Sequence, residues 1–137
     1  MARIIALDYG KKRTGIAVTD PLQLIATALE TVATKELVVF LKKYTAAEPV
    51  EKILIGYPLN FDDTPTDATA LIDKFIPKLQ HVFPEIEIEK WDERMTSRMA
   101  SQQIAQMGLN KKQKEKKELI DAVSAVIILQ EYLETHS

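Results

Sequence analysis

Four consecutive apolar residues near the start of the chain, Ile4-Ile5-Ala6-Leu7, constrain the fold more than any other stretch. A strand with one wet face alternates apolar and polar side chains, so an unbroken run reads as a strand covered on both faces. The run ends in a carboxylate, Asp8, where a covered strand tolerates one least. A buried charge left uncompensated costs several kcal/mol or is neutralised by a pKa shift, so Asp8 requires hydrogen-bond donors, a cation or a metal. Gly10 and Gly15 bracket the basic turn Lys11-Lys12-Arg13, and Ile16-Ala17-Val18 then starts a second apolar strand. Two strands joined by a short glycine-bounded loop read as a hairpin. The chain therefore opens with an acid on a hairpin beside three cations.

Further along, Asp20-Pro21 marks a turn and Leu29 to Val32 a short third strand. Thr34 is placed to cap a helix carrying Leu37, Val38, Leu41 and Tyr44, which Glu48-Pro49 ends. Ile53-Leu54-Ile55 is a second unbroken apolar run, closing at Gly56-Tyr57-Pro58. Thr64-Pro65-Thr66-Asp67 supplies a capping hydroxyl, a proline at the first helical position and a first-turn acid. The helix that follows shows Ala68, Leu71, Ile72, Phe75, Ile76 and Leu79 on one stripe, and Pro77 inside it is expected to kink or end it early. Ile86 and Ile88 alternate with Glu85, Glu87 and Glu89, the pattern of a more exposed edge strand. After Trp91-Asp92-Glu93-Arg94, Thr96 or Ser97 caps a helix that Gly108 ends, and a final helix runs from about Lys117 to Glu134. The expected architecture is one α/β domain spanning residues 1–137, with a mixed sheet.

Composition narrows the chemistry. With no cysteine there is no disulfide framework, no zinc-finger spacing and no thiol nucleophile, and two histidines are too few for a histidine-based metal site. Any metal would be held by oxygen, which points to magnesium or manganese. No apolar run approaches the roughly 18 residues that span a bilayer, so no membrane partner and a cytoplasmic address are expected. The net charge of −2 excludes a general nucleic-acid sponge, yet the cations are clustered. Ten of the 18 Lys and Arg fall at Lys11, Lys12 and Arg13; at Arg94 and Arg98; and at Lys111, Lys112, Lys114, Lys116 and Lys117. Focused basic patches of this kind bind a polyanion locally.

Three carboxylates stand in apolar or strand-terminal settings. Asp8 is the first; Glu93 follows the edge strand, and open α/β sheets place their sites at such strand ends. Asp121 is the third, with Ser124, Ala125 and Ile128 at i+3, i+4 and i+7, a small and apolar helical row. Each also has a plainer reading: Asp8 accepting bonds from its turn, Glu93 pairing with Arg94 at the surface, Asp121 capping another element. Their co-occurrence favours a shared counter-charge, because two carboxylates roughly 5 Å apart at an effective dielectric of about 20 repel by about 3 kcal/mol. One or two divalent cations remove that repulsion, and such sites drive phosphoryl transfer.

Four segments carry a specific resemblance: Asp8-Tyr9-Gly10-Lys11-Lys12-Arg13-Thr14-Gly15, Gly56-Tyr57-Pro58-Leu59-Asn60, Asp92-Glu93-Arg94-Met95-Thr96-Ser97, and Ile120-Asp121-Ala122-Val123-Ser124-Ala125-Val126-Ile127-Ile128-Leu129-Gln130. In this order and spacing they resemble the YqgF (RuvX-like) family, over essentially the whole chain. That family was first assigned to Holliday junction resolution and is now assigned to maturation of the 5′ end of pre-16S ribosomal RNA. The resemblance implies an RNase H-like fold: a five-stranded mixed sheet, first three strands antiparallel, helices on both faces. It also implies that Asp8, Glu93 and Asp121 are the metal-binding catalytic acids, holding Mg²⁺ or Mn²⁺. The chain departs from the family's usual residues at Ala6, at Asp62-Asp63, at Ser101 and at Glu118, none of them a catalytic acid.

The expected activity is metal-dependent hydrolysis of structured nucleic acid, RNA first, by a monomer or homodimer, with the three basic stretches meeting phosphates. A solvated charge run is the plainer reading of Lys111 to Lys117, and positive charge beside a carboxylate cluster favours the phosphate contact. Thr96 and Ser97 read as caps, and Trp91 as packing. The alternatives are a four-way DNA junction as substrate, a non-catalytic RNA-binding or transcription/ribosome-assembly factor, and an actin-like nucleotide binder suggested by Asp8-x-Gly10 with Gly15. The last normally needs two such domains.

Overall fold

The run Ile4–Leu7 forms the middle of the central strand of a five-stranded sheet. The structure, a computed structural model, describes residues 2–57, 67–92 and 113–136, with side chains described for 2–57, 68–92 and 123–135. The strands are β1 (Arg3–Tyr9), β2 (Arg13–Thr19), β3 (Ala26–Ala33), β4 (Val50–Tyr57) and β5 (Glu87–Asp92). A 3-10 turn (Thr34–Glu36) leads into α1 (Leu37–Ala47); α2 (Asp67–Val82) lies between β4 and β5 in the chain, and α3 (Gln113–His136) follows. The sheet order is β3-β2-β1-β4-β5. The first three strands pair antiparallel, while β1–β4 and β4–β5 pair parallel, as expected.

Alternation along β1 divides the core in two. Ile5 and Leu7 pack with Ile16, Val18, Ile53 and Ile55 against Leu37 and Leu41 of α1 and Ile72, Phe75 and Leu79 of α2. Ile4 and Ala6 pack with Ala17 and Leu54 against Ala125, Ile128, Leu129 and Tyr132 of α3. Both faces are dry, which is why the first run does not alternate; each large side chain so buried contributes about 1.5–3 kcal/mol. β5 is an edge strand and keeps the expected period of two. Ile88 joins the α1/α2 face, whereas Glu87 and Glu89 reach Lys52 of β4 on the other.

Lys52 ties three elements together. Its side chain is only 15% exposed, and Nζ lies 2.7 Å from Glu87 Oε2 and 2.9 Å from Glu89 Oε1. It also donates to Tyr132 Oη of α3 at 3.0 Å, so all three ammonium hydrogens have acceptors. Burial alone would depress this ammonium, but the bonds to Glu87, Tyr132 and Glu89 outweigh it and raise its pKa. The same contact holds the Glu87 carboxyl below its ordinary range.

Three local expectations are corrected. Thr34 is not a helix cap: α1 starts after the 3-10 turn with Glu36 at its N-cap and no side-chain cap, and the Thr34 hydroxyl turns back to the β1–β2 loop. Pro77 does not end α2 early: the helix runs through it to Val82. Ile72, Phe75 and Leu79 are buried on both sides of it, and Pro77 and Asp73 are exposed, so water can serve the Asp73 carbonyl that the proline leaves without a donor. Strand β3 extends well beyond Leu29–Val32, because pairing to β2, not apolarity, sets its length. The expected caps at Thr64–Asp67 and at Thr96 or Ser97, and the helix end at Gly108, fall on or adjoin residues outside those described. Helix α3 starts at Gln113, before the expected Lys117.

Pro77→Ala should stabilise the fold by about 1–2 kcal/mol, the restored helical bond less the entropy the proline removes from the unfolded chain; thermal melting checks the sign. The Lys52 cluster also sets an acid response. A depressed carboxyl gives stability above its unfolded pKa that is lost as pH falls through the folded value. Chemical denaturation between pH 6 and 3 should therefore show a shallower loss for Lys52→Met than for the wild type.

Candidate active site

Alternation also places Asp8. Continuing the row Ile4–Ala6, it lies on the sheet face covered by α3, near the C-terminal end of the central strand, and is half-buried. Asp8 pairs with Gly15 of β2. The Leu7–Ile55 pairing puts Gly56 of β4 at its other side, and Gly56 in turn pairs with Trp91 of β5. Neither strand neighbour of Asp8 on that face carries a side chain. Glycines at such positions mark a close approach by a ligand or another backbone.

Helix α3 covers this face. Asp121 lies within it, and the residues three, four and seven places on, Ser124, Ala125 and Ile128, are all buried at 1% exposure or less. The row on which Asp121 stands is thus the row that meets the sheet. Ser124 Oγ is, among the described residues, the buried side-chain polar atom that has no hydrogen-bond partner. Buried hydroxyls ordinarily find one. This orphaned oxygen, buried one helical turn from Asp121, leaves an unmet hydrogen-bonding capacity within the interface.

At the end of β5, Trp91 meets the Tyr132 ring edge-on, with centroids 5.8 Å apart at 74°, and Nε1 lies 3.4 Å from Glu131 Oε2. The packing expectation for Trp91 holds, and the contact couples the end of β5 to α3. Glu93 is the second residue after Trp91 and lies outside the described residues, as do Arg94, Arg98, Lys111 and Lys112. Lys114, Lys116, Lys117 and Asp121 stand on the α3 backbone, and their side chains are outside the described set.

The basic hairpin loop is described in full. Lys11 and Lys12 are exposed and Arg13 half-buried, within five residues of Asp8. Gly10 is required there: an added Cβ would stand 2.4 Å from the Arg13 carbonyl oxygen, closer than any side chain permits. Thr14 is fully buried, its hydroxyl 2.9 Å from that of Thr34, and the Thr34 hydroxyl donates to the Gly10 carbonyl at 2.6 Å. Sequence reading passed over both threonines as site residues. Thr34 carried a local signal for the wrong role, and the partner 20 residues away leaves none.

On the opposite face of the same edge, Tyr9 stacks on Phe75 at 4.5 Å. The Tyr57 hydroxyl donates to Asp73 at 2.9 and 3.1 Å, and Lys90 sits 3.1 Å from Asp73 and 4.4 Å from the Tyr57 ring centre. These bonds hold the Asp73 carboxyl low and push the Tyr57 phenol up. Both aromatics pin α2 to the strand ends. Among the described residues no group of three or more potential ligands for a metal ion occurs, and no helix is long and apolar enough to cross a membrane.

The sequence profile of the RuvX family, described as "Holliday junction resolvase", matches residues 2–135. A protein of Flavobacterium psychrophilum is 49% identical over 133 residues, covering 97% of both chains. One of Bacteroides thetaiotaomicron is 49% identical over 135 residues, covering 98% of both. Each is named "Putative pre-16S rRNA nuclease". Among solved structures, Thermus thermophilus RuvC in complex with a Holliday junction substrate superposes with a TM-score of 0.59 at 13% identity, over 99% of this chain and 96% of that one. A second structure of Thermus thermophilus RuvC gives 0.55 at 16% identity, over 98% and 96%. At such identities the likeness is one of fold, the RNase H-like fold. With its profile matched from residue 2 to residue 135 and relatives near half identical over their whole length, the chain belongs to the RuvX family.

Proposed function

We propose that this protein is a metal-dependent endonuclease that hydrolyses phosphodiester bonds of structured RNA, with the 5′ end of pre-16S ribosomal RNA as its substrate in the cytoplasm. The observation that carries the reading is the position of Asp8: a carboxylate at the end of the central strand, on the face covered by the helix that bears Asp121, with glycine on either side. Its support from relatives is their printed name.

The donor chemistry fits a hard cation. Carboxylate oxygens in a chain without cysteine suit Mg²⁺ or Mn²⁺, and the orphaned Ser124 hydroxyl leaves an unmet hydrogen-bonding capacity in the same interface. Asp8, Glu93 and Asp121 are the residues we assign to hold it. When bound, a divalent ion supplies an activated water and charge stabilisation for the leaving oxygen. The chain's own part is to position. Gly15 and Gly56 put no side chain beside Asp8, and Lys11, Lys12 and Arg13 attract the phosphate from the hairpin. Arg94, Arg98 and Lys111, Lys112, Lys114, Lys116 and Lys117 extend that attraction along the backbone. Such contacts read backbone and shape more than base identity.

A second reading keeps the chemistry and takes a four-way DNA junction as substrate. The description of the RuvX family favours it. A two-fold junction calls for a two-fold enzyme, so this reading requires a homodimer, whereas RNA cleavage is open to a monomer.

Incubation of the protein and its Asp8→Asn variant with 5′-extended pre-16S RNA and with a four-way junction tests both readings in Mg²⁺, Mn²⁺ or EDTA. Cleavage of the RNA should require metal and fall at least about a hundredfold in the variant, about 2.7 kcal/mol of barrier. Binding of both without cleavage of either would favour a non-catalytic RNA-binding factor. Metal binding has a readout of its own: Mg²⁺ at about 100 times its dissociation constant should stabilise the wild type by about 2.7 kcal/mol. The corresponding rise in melting temperature should vanish in Asp8→Asn.

A further inference from the structure

The hydrogen bonds around Thr34 do more than close a turn. Its hydroxyl donates to the Gly10 carbonyl at 2.6 Å, and its backbone N–H donates to the Lys12 carbonyl at 2.9 Å. A hydroxyl carries one hydrogen, so the 2.9 Å contact between the Thr14 and Thr34 hydroxyls is donated by Thr14. Thr14 is fully buried and Thr34 half-buried, so water competes poorly for these bonds. Residue 34 thus grips the hairpin loop at both ends, through the carbonyls that flank Lys11, while its own hydroxyl is held from beneath. The loop has no slack of its own, since Gly10 already approaches the Arg13 carbonyl more closely than a Cβ would allow. Two exposed lysines on so short a segment would otherwise swing freely. Here their backbone is tied from outside the hairpin, at the junction of β3 and α1.

We infer that Thr34, seconded by Thr14, is a positioning residue that holds the Lys11-Lys12 loop at a fixed offset from Asp8, so that the phosphate the lysines bind is delivered to the carboxylate. This deepens the proposed function and rests on it. The clamp acts on turnover more than on affinity. Attraction of a polyanion depends on the number of cations, which Thr34→Val leaves intact. Delivery depends on their placement, where a 1 Å error can cost about a hundredfold.

Three variants separate positioning from stability. Thr34→Val removes the hydroxyl at nearly constant volume, and Thr34→Ser restores it. Thr19→Val is the control: the Thr19 hydroxyl accepts a bond from the Ile4 N–H at 2.9 Å, more deeply buried than Thr34 and at the other end of β1 from Asp8. Expected is a loss of melting temperature in Thr19→Val at least as large as in Thr34→Val. Single-turnover cleavage of the pre-16S RNA should fall about tenfold or more in Thr34→Val alone, with RNA affinity and its salt dependence unchanged and with Thr34→Ser near the wild type. Equal cleavage losses in Thr34→Val and Thr19→Val, or a wild-type rate in Thr34→Val, would overturn the positioning role while leaving the nuclease reading intact. Should the valine variant fail to fold, amide exchange in the wild type decides: a Thr34 N–H that exchanges as fast as an open loop removes the clamp. A wild type that cuts neither RNA nor DNA junction overturns the nuclease reading, and the inference with it, even where the Thr34 amide is protected.

Discussion

A sheet buried on both faces can keep polar chemistry only where its strands end. In this chain α1 and α2 cover one face and α3 the other, so the middle of β1, from Ile4 to Leu7, has no contact with water to offer a polar group. Asp8 is the first position at which that cover thins, and it is half-buried while its four predecessors are at most 2% exposed. The need to hide apolar surface thus fixes where an acid can stand. The parallel β1–β4–β5 half of the sheet brings three strand ends to that same edge.

The cover is itself held by polar ties at the sheet's margin. Lys52 joins β4, β5 and α3 through Glu87, Glu89 and Tyr132, and Trp91 packs on the same tyrosine. On the other face Tyr57, Asp73 and Lys90 join β4 and β5 to α2. Lys52 is mostly buried, but Glu87, Asp73 and Lys90 are largely exposed, and ion pairs with exposed members contribute little net stability. Such ties act less as sources of stability than as fixtures of register. They set which part of α3 lies over which part of the sheet.

Much of this was legible from side-chain pattern. Unbroken apolar runs gave the two covered strands, alternation at Glu85–Glu89 gave the edge strand, and the row Ser124, Ala125, Ile128 gave the buried side of α3. The misreadings share a cause. Thr34 has the residue type of a cap, yet its hydroxyl finds a stronger use on Gly10, 24 residues away. Pro77 has the residue type of a helix breaker, yet buried neighbours on both sides hold α2 through it. Strand β3 has no fully buried residue, and only Leu29 and Val32 in it are large and apolar, so its length comes from pairing with β2. In each case a contact distant in sequence overrode a local preference.

The sequence by itself determined the class of fold and the placing of Asp8 at a strand end, because burial periodicity depends only on residues a few places apart and those are read directly. It also determined, through motifs kept in order along the chain, the family. Only the tertiary structure decided which face Asp8 shares with α3, that Gly15 and Gly56 flank it, and that Thr34 grips the loop of Lys11 and Lys12. Those relations depend on strand order and register. Both arise from the packing of the whole sheet, and no short stretch of sequence encodes them.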